Sequence, residues 1–254
     1  MKELISTTVE DRVLVMTIDR VEARNAVNRA VSYQLADALE RLEIDDMLAV
    51  GVITGAGGNF SAGMDLKAFP TEGIPLVGDR GFCGLTRAQL CKPVVAAVEG
   101  WALGGGFEIA LACDLIVCGE SARFGLPEVT RGLIPAEGGA LRLPQRLPYH
   151  VAMETLLTGA PLTAAAADRF GLVNRVVADG ESLSAALELA QRIARNAPLA
   201  LAALKQIQQD CGGTDGPVAF AKQDAIVGTL PATKDAEEGA RAFAEKRPPV
   251  WRGR

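Results

Sequence analysis

Short apolar segments alternate with amphipathic ones along the first half of the chain. Four of the apolar segments are rich in β-branched residues and predict strands: 12–19 (RVLVMTID), 49–54 (AVGVIT), 93–99 (PVVAAVE) and 114–118 (DLIVC). Between the first two, the apolar residues from Arg29 to Leu42 recur every three or four positions, which predicts one face of a helix. Alternating strands and helices predict an α/β architecture.

The pattern changes in the second half of the chain. Residues 171–177 (GLVNRVV) form the last predicted strand, after two predicted helices at 151–157 and 163–170. Four further helices are predicted at 184–195, 199–209, 217–228 and 233–246. We therefore predict a core over residues 1–195 and a helical C-terminal region over residues 196–254.

Two glycine-rich stretches follow predicted strands. The first, 55–63 (GAGGNFSAG), precedes a short helix predicted to begin within 64–69, and a segment without periodicity over 70–87 that is a candidate mobile loop over a site. The second is Gly104–Gly106, directly before an apolar helical stretch with a single carboxylate, Glu108. Glycine permits close approach of a ligand to the backbone, and a helix start has unpaired N–H groups. The triplet either binds an oxygen that gains negative charge or is only a tight turn.

Composition restricts the classes of function. The chain has 254 residues, of which 22% are charged and 49% hydrophobic, as in globular proteins. A net charge of −5 argues against nucleic-acid binding, and the single histidine, His150, argues against a histidine-based zinc site or a Ser–His–acid triad. No apolar run is long enough to span a membrane. Five cysteines without CxxC spacing predict reduced thiols in a cytoplasmic protein.

Four motifs in this order resemble the enoyl-CoA hydratase/isomerase family, also called crotonases. They are FSAGMDL (60–66), GWALGGGFEIALACDLIV (100–117), FGLPEVTRGLIPAEGG (124–139) and AFAEKR (242–247). The resemblance covers nearly the whole chain. It implies a crotonase spiral of ββα units, followed by C-terminal helices that assemble a homotrimer or a dimer of trimers. It also implies an acyl-CoA thioester substrate and no metal or redox cofactor.

The resemblance assigns an oxyanion hole and an acid–base pair. The family's two backbone N–H donors to the thioester oxygen match Met64 and Gly105, and the two glutamates of its hydratases match Glu108 and Glu128. One glutamate assists the attack of water on the β-carbon, and the one matching Glu128 exchanges a proton with the α-carbon. Two carboxylates in a partly desolvated pocket repel each other, so one is expected to keep its proton near neutral pH.

Glu137 departs from the glycine that many hydratases have at this position. It is either an additional acid or a carboxylate that interacts with the N–H groups of Gly138 and Gly139 at a helix start, and the sequence leaves both open. For CoA, the resemblance implies contacts from one set of residues near the adenine end and from two on the C-terminal helix: Glu22, Ala23, Arg24, Ala62, Asp65, Leu66, Phe243 and Lys246.

The expected function is enoyl-CoA hydration in fatty acid metabolism, with three alternatives. Segments such as FSAGMDLKAF and GLVNRVV resemble the carnitinyl-CoA dehydratase branch, for which Trp101 and Phe82 are candidate aromatic contacts to a quaternary ammonium. An enoyl-CoA isomerase would need only one productive carboxylate. A catalytically silent protein that binds RNA or a partner would lack a glutamate or have a basic face, and this chain has neither property.

Overall fold

The computed structural model describes residues 3–213 and 216–254, which form an α/β fold. In these residues the strands are β1 (Ile5–Glu10), β2 (Val13–Ile18), β3 (Val50–Gly55), β4 (Val94–Val98), β5 (Trp101–Leu103), β6 (Leu115–Gly119), β7 (Arg123–Gly125), β8 (Leu162–Thr163) and β9 (Arg175–Val177). The α-helices are α1 (Arg29–Ile44), α2 (Phe69–Glu72), α3 (Gly105–Ala112), α4 (Gly139–Arg146), α5 (Tyr149–Thr158), α6 (Ala164–Arg169), α7 (Ser182–Ala194), α8 (Pro198–Cys211), α9 (Pro217–Val227) and α10 (Lys234–Glu245).

The larger sheet has the strand order β1-β2-β3-β4-β6-β9. β1 and β2 form an antiparallel hairpin, with Ile5 opposite Ile18, and each later pair of neighbours is parallel. A smaller sheet of order β5-β7-β8 lies at the carboxyl ends of β4 and β6, because β5 and β7 follow those strands closely. The helix α3 begins directly after β5, so the smaller sheet positions the glycine triplet.

The two faces of the larger sheet belong to two hydrophobic cores. Leu14 and Met16 of β2 pack in a core with α1 and α3, whereas Val13 and Val15 of the same strand pack against α7. This alternation follows from the two-residue period of a strand. Ala186 and Ala190 of α7 are fully buried, and their small side chains permit a close approach of the helix to the sheet.

The four predicted core strands and the last predicted strand are confirmed as β2, β3, β4, β6 and β9. The helix predicted at 29–42 is α1, which begins after Asn28, whose side chain accepts a hydrogen bond from the Val31 N–H. The short helix that was predicted to begin within 64–69 is α2, which begins only at the last of these residues, Phe69. The Asp65 carboxylate accepts hydrogen bonds from the N–H groups of Lys67 and Ala68, and these hold the residues before Phe69 in a turn.

Four strands were not predicted. β1 has the sequence ISTTVE, in which most residues are polar or exposed because it is an edge strand with one neighbour. β5, β7 and β8 have three, three and two residues, too few for a periodic pattern.

The C-terminal helices follow α7, and α8 is joined to the core by polar contacts. Lys205 forms an ion pair with Asp114 at 2.6 Å, and Gln209 donates a hydrogen bond to the Leu90 carbonyl. In α10, Glu238 accepts hydrogen bonds from Arg247 and from the Val250 N–H, which fixes the tail against the helix. The division of the chain at residue 195 stays a prediction. Among the described residues, no helix combines the length and apolar character needed to cross a membrane.

Candidate active site

Ser61 connects its own segment to Asn25 and to β5, the strand that leads into the glycine triplet. Its N–H donates to the Trp101 carbonyl and its carbonyl accepts from the Leu103 N–H, both at 2.9 Å. Its hydroxyl donates to the Asn25 carbonyl at 2.8 Å and accepts from the Gly63 N–H at 3.1 Å. A methyl group on Gly106 would lie only 2.4 Å from the Ser61 carbonyl oxygen, so close packing here requires glycine. The segment 61–64 is therefore clamped against β5 and the start of α3.

Met64 and Gly105, the predicted oxyanion donors, lie on adjacent segments. The Gly63 carbonyl and the Asp65 N–H both bond to Val27, so in this extended segment the Met64 N–H faces the opposite side. Gly105 is the first residue of α3, whose N–H has no acceptor within the helix. A methyl group on Gly63 would lie 2.9 Å from the Gly105 nitrogen. The structure therefore brings the two predicted donor segments together.

Glu108 is nearly fully buried, with 3% of its surface exposed. Its Oε1 accepts hydrogen bonds from the N–H of Glu137 at 2.7 Å and from the N–H of Gly139 at 2.9 Å. Burial raises the pKa of Glu108 to about 7, and the negative charges of Glu128 and Glu137 add to this increase against the two hydrogen bonds. Both protonation states of Glu108 are therefore populated near neutral pH.

Glu128 lies on a 3₁₀ turn, Pro127–Arg131, that faces the glycine triplet. Its Oε1 is 3.0 Å from the position that a methyl group on Gly104 would occupy. Its Oε2 is buried and has no hydrogen-bond partner among the described residues. Burial raises the pKa of Glu128, although its own N–H and the charge of Arg131 oppose the increase. Glu128 thus has an oxygen that is withdrawn from solvent and not occupied by the protein.

Glu137 is buried, and its carboxylate is bonded to the segment 82–87. Oε2 accepts from the Phe82 N–H, the Thr86 hydroxyl and Arg87 Nε, at 3.1, 2.8 and 3.2 Å, and Oε1 accepts from Arg87 Nη2 at 2.5 Å. The alternative in which Glu137 caps Gly138 and Gly139 is wrong, because the Gly139 N–H donates to Glu108 and α4 has no side-chain cap.

The two predicted CoA-binding stretches are adjacent. Glu22 and Ala23 lie in a 3₁₀ turn, and the carbonyl of the following Arg24 accepts a hydrogen bond from the Ala62 N–H at 3.0 Å. Leu66 is exposed close by. Asp65 faces inward and pairs with Arg20 at 2.6 Å.

Phe243 lies in the last turn of α10 and Lys246 follows directly after the helix. The Phe243 side chain is 86% exposed, and Lys246 ends the helix with a φ of 54°. Their part in CoA binding stays a prediction.

The two aromatic candidates differ in their surroundings. Phe82 is buried, and its ring lies against Gly105, where an added methyl group would be 2.8 Å from Cε1. Trp101 is 42% exposed at the start of β5. The described residues contain no group of three or more His, Cys, Asp or Glu side chains that could hold a metal ion.

The sequence did not identify Ser61 as part of this site, nor Gly139 as a donor to Glu108. The segment 70–87 was predicted only as a candidate mobile loop over a site, without the contacts of Thr86 and Arg87 to Glu137. Gly139 contributes only a backbone N–H, which has no signature in side-chain type. Ser61 acts through contacts with residues far along the chain, which a local pattern does not show.

The chain is similar to known proteins along nearly its whole length. A family model described as enoyl-CoA hydratase/isomerase matches residues 8–254. The chain is 45% identical to a carnitinyl-CoA dehydratase of Salmonella typhi, over the full length of both proteins. Its structure is similar to that of an enoyl-CoA hydratase from Mycobacterium tuberculosis H37Rv, with 48% identity, full coverage of both chains and a TM-score of 0.96. A probable enoyl-CoA hydratase/isomerase from Mycobacterium abscessus is 53% identical, again over both full chains, with a TM-score of 0.94. With this fold and these matches along its whole length, the chain belongs to the enoyl-CoA hydratase/isomerase family, the crotonases.

Proposed function

We propose that this protein is a hydro-lyase that adds water reversibly, in the syn sense, to the double bond of a 2-enoyl-CoA thioester. The observation that carries the proposal is the Oε2 atom of Glu128, which is buried without a protein partner in the described structure. Glu128 is also close enough to Glu108 that its charge, when ionised, raises the pKa of Glu108. Two acids with raised pKa values beside backbone donors suit proton transfer to and from a bound thioester.

The two glutamates act at different carbon atoms in the proposed reaction. Ionised Glu108 accepts a proton from water while the water oxygen forms its bond to the β-carbon. The electron pair of the double bond moves toward the thioester carbonyl and forms an enolate. Protonated Glu128 then gives its proton to the α-carbon, which completes the 3-hydroxyacyl product. The proton on Glu108 returns to Glu128 before the next turnover, so that one water is consumed in each cycle.

Met64 and Gly105 stabilise the enolate in this scheme. Their N–H groups belong to the backbone, so the donors are fixed by the clamp at Ser61 rather than by flexible side chains. Donors held in place before charge develops need no reorganisation during the reaction, and one of them is typically worth about a hundredfold or more in rate. Because the Met64 donor is its backbone N–H, its side chain affects only the shape of the pocket.

Substrate binding and assembly complete the proposal. Glu22–Arg24, Ala62 and Leu66 would contact the adenine end of CoA, with Phe243 and Lys246 closing over it, and no further cofactor is required. Asp65 would support this region from inside through its ion pair with Arg20. Exposed apolar side chains on α9 and α10, including Phe220 and Phe243, support assembly into a homotrimer or a dimer of trimers. Free cysteines among the described residues support the reducing cytoplasm as the location.

The test of the hydratase is a Glu128→Gln variant, assayed by loss of the conjugated thioester absorbance of crotonyl-CoA. Gln keeps the shape of the side chain but cannot supply the proton, so turnover should fall by about a hundredfold or more. Exposed Glu40 on α1 provides the matched control, Glu40→Gln, which should keep wild-type turnover. Wild-type turnover by Glu128→Gln would refute the assignment.

Water enriched in heavy oxygen separates hydration from isomerisation. A hydratase places solvent oxygen in the product, whereas an isomerase moves the double bond without incorporating it. Product with unlabelled oxygen and a shifted double bond would favour the isomerase.

A second candidate is the hydration of crotonobetainyl-CoA. The full-length match to a carnitinyl-CoA dehydratase favours it. The ring of Phe82 beside Gly105 provides an aromatic surface of the kind that attracts a quaternary ammonium. Comparing kcat/KM for crotonyl-CoA, longer enoyl-CoAs and crotonobetainyl-CoA decides between the two. A preference of about tenfold or more for crotonobetainyl-CoA would support this candidate.

A further inference from the structure

We propose that Glu137 is a positioning residue that ties the segment 81–87 to Glu108 and thereby holds Phe82 beside Gly105. It determines how the acyl group is seated and does not itself transfer a proton to substrate. The inference rests on the proposed function, because it takes Glu108 as the residue that activates water.

The backbone of Glu137 controls one side of this connection. Its N–H donates to Glu108 Oε1 at 2.7 Å, the shorter of the two hydrogen bonds that orient this oxygen. Any shift of residue 137 therefore shifts the direction in which the Glu108 carboxylate points.

The carboxylate of Glu137 controls the other side. Four donors from Phe82, Thr86 and Arg87 occupy its two oxygens, and only 6% of the residue is exposed. Three of these hydrogen bonds are to Oε2 and one is to Oε1, so protein donors hold the carboxylate in a fixed orientation toward the segment 82–87. Its neighbour Gly81 packs so closely that a methyl group there would lie 2.7 Å from Glu137 Oε2, which indicates a close fit between the two segments.

Phe82 is the residue through which this connection reaches the substrate. Its N–H bonds to Glu137 and to the Thr86 hydroxyl, and the N–H of Cys83 donates to the Ser32 hydroxyl at 3.0 Å on the other side. The backbone is thus held between α1 and Glu137 while the ring lies against Gly105. Because Gly105 is a predicted donor to the thioester oxygen, the ring borders the space where the first carbons of the acyl group must lie.

Loss of the Glu137 carboxylate leaves the Phe82 N–H with one acceptor fewer and Arg87 without its ion pair. The segment 81–87 is then free to shift, and the wall beside Gly105 becomes less well defined. The reaction should persist, since Glu108, Glu128 and the backbone donors remain. Discrimination between short and long acyl groups should decrease.

The experiment compares Glu137→Ala and Glu137→Gln with wild type in two kinds of measurement. Hydrogen exchange of the peptide containing residues 81–87 reports the connection without needing turnover. Initial rates with crotonyl-CoA and a ten-carbon enoyl-CoA, over a range of pH, report its effect on catalysis. Glu40→Gln serves again as the matched control.

We expect Glu137→Ala to exchange faster over 81–87 and to change the ratio of kcat/KM for the two substrates by about tenfold, with most of the effect in KM. Removing the negative charge of Glu137 lowers the pKa of Glu108, so the acidic limb of the pH profile should move to lower pH. Glu137→Gln should retain most of the wild-type acyl discrimination, because its amide oxygen can still accept a hydrogen bond from the Phe82 N–H. Its pH profile should show the same shift of the acidic limb as Glu137→Ala, because both variants lack the negative charge.

Three outcomes would overturn the inference. They are unchanged exchange over 81–87, unchanged acyl discrimination in Glu137→Ala, and loss of turnover in Glu137→Gln as severe as in Glu128→Gln, which would make Glu137 an acid in the reaction. If Glu137→Ala fails to fold, Thr86→Val removes one donor to the same carboxylate and should change exchange and discrimination in the same direction by less. Failure of the hydratase itself is separate, because it appears as wild-type turnover in Glu128→Gln or as no turnover by the wild type.

Discussion

The raised pKa of Glu108 predicts that the ionised form of this residue, which is the base in the proposed reaction, makes the fold less stable. Its pKa rises from 4.5 to about 7 in the folded protein, and each pKa unit corresponds to about 1.4 kcal/mol. Ionising Glu108 in the folded state therefore costs about 3 kcal/mol of stability. The stability associated with protonated Glu108 is fully present below pH 4.5, where the residue is protonated in both the folded and the unfolded chain. It is lost as pH rises through about 7.

Glu108→Gln removes that cost. The amide oxygen of Gln can accept the same hydrogen bonds from Glu137 and Gly139, so the variant keeps the local geometry without the charge. We expect the variant to match wild-type stability near about pH 4 and to exceed it by about 3 kcal/mol near about pH 9. For a chain of this size, that difference raises Tm by roughly 6 °C or more. Hydration activity should fall by about a hundredfold or more.

The measurement is thermal and denaturant unfolding of wild type, Glu108→Gln and Glu40→Gln at both pH values. Glu40→Gln controls for the general change in net charge, since Glu40 is exposed on α1. The reasoning is refuted if Glu108→Gln differs from wild type by the same amount at both pH values. It is also refuted if the variant is less stable than wild type at the higher pH.

Two further predictions concern packing and a buried ion pair. Gly106→Ala should lower both stability and turnover, because its methyl group would lie 2.4 Å from the Ser61 carbonyl oxygen. Gly239→Ala inside α10 is its control and should raise stability by about 1 kcal/mol, so equal unfolding midpoints for the two variants would contradict the packing. Asp65→Asn should destabilise the protein at neutral pH. Burial raises the pKa of Asp65, but hydrogen bonds from Arg20 and from backbone N–H groups outweigh it and lower the pKa below 3.8, so the stabilisation is lost as pH falls below that value. A stability difference that persists in acid would count against this explanation.

The sequence predicts the centre of the fold better than its edges. Strands such as β4 (VVAAV) are buried on both faces and show as continuous apolar runs. β1 cannot be recognised from its sequence, because its exposed face carries polar residues, and it is defined only by its pairing with β2 in the structure. The short strands of the smaller sheet are defined by hydrogen bonds such as those of Ser61, which join residues forty positions apart.

The site shows the same limit. The glycine triplet and Glu108 stand out locally, since three glycines before an apolar helix with one acid form an unusual pattern. Glu128 and Met64 have no such local signal, and only the resemblance to a family connected them. Neither alternative considered for Glu137 included its contacts with residues 82–87, because these partners lie fifty or more residues away in sequence.

Because the proposed oxyanion donors belong to the main chain, binding of the thioester oxygen and proton transfer would be carried out by different parts of the chain. In the proposed reaction, binding of the thioester oxygen depends on the path of the main chain at 61–64 and 104–106, which Ser61 and the closely packed glycines hold in place. In the same proposal, proton transfer depends on Glu128 and on the N–H groups that orient Glu108, all of which belong to residues 127–139. New reactions on an enolate could therefore be built by exchanging that stretch alone, with the binding of the thioester oxygen retained as a constant part.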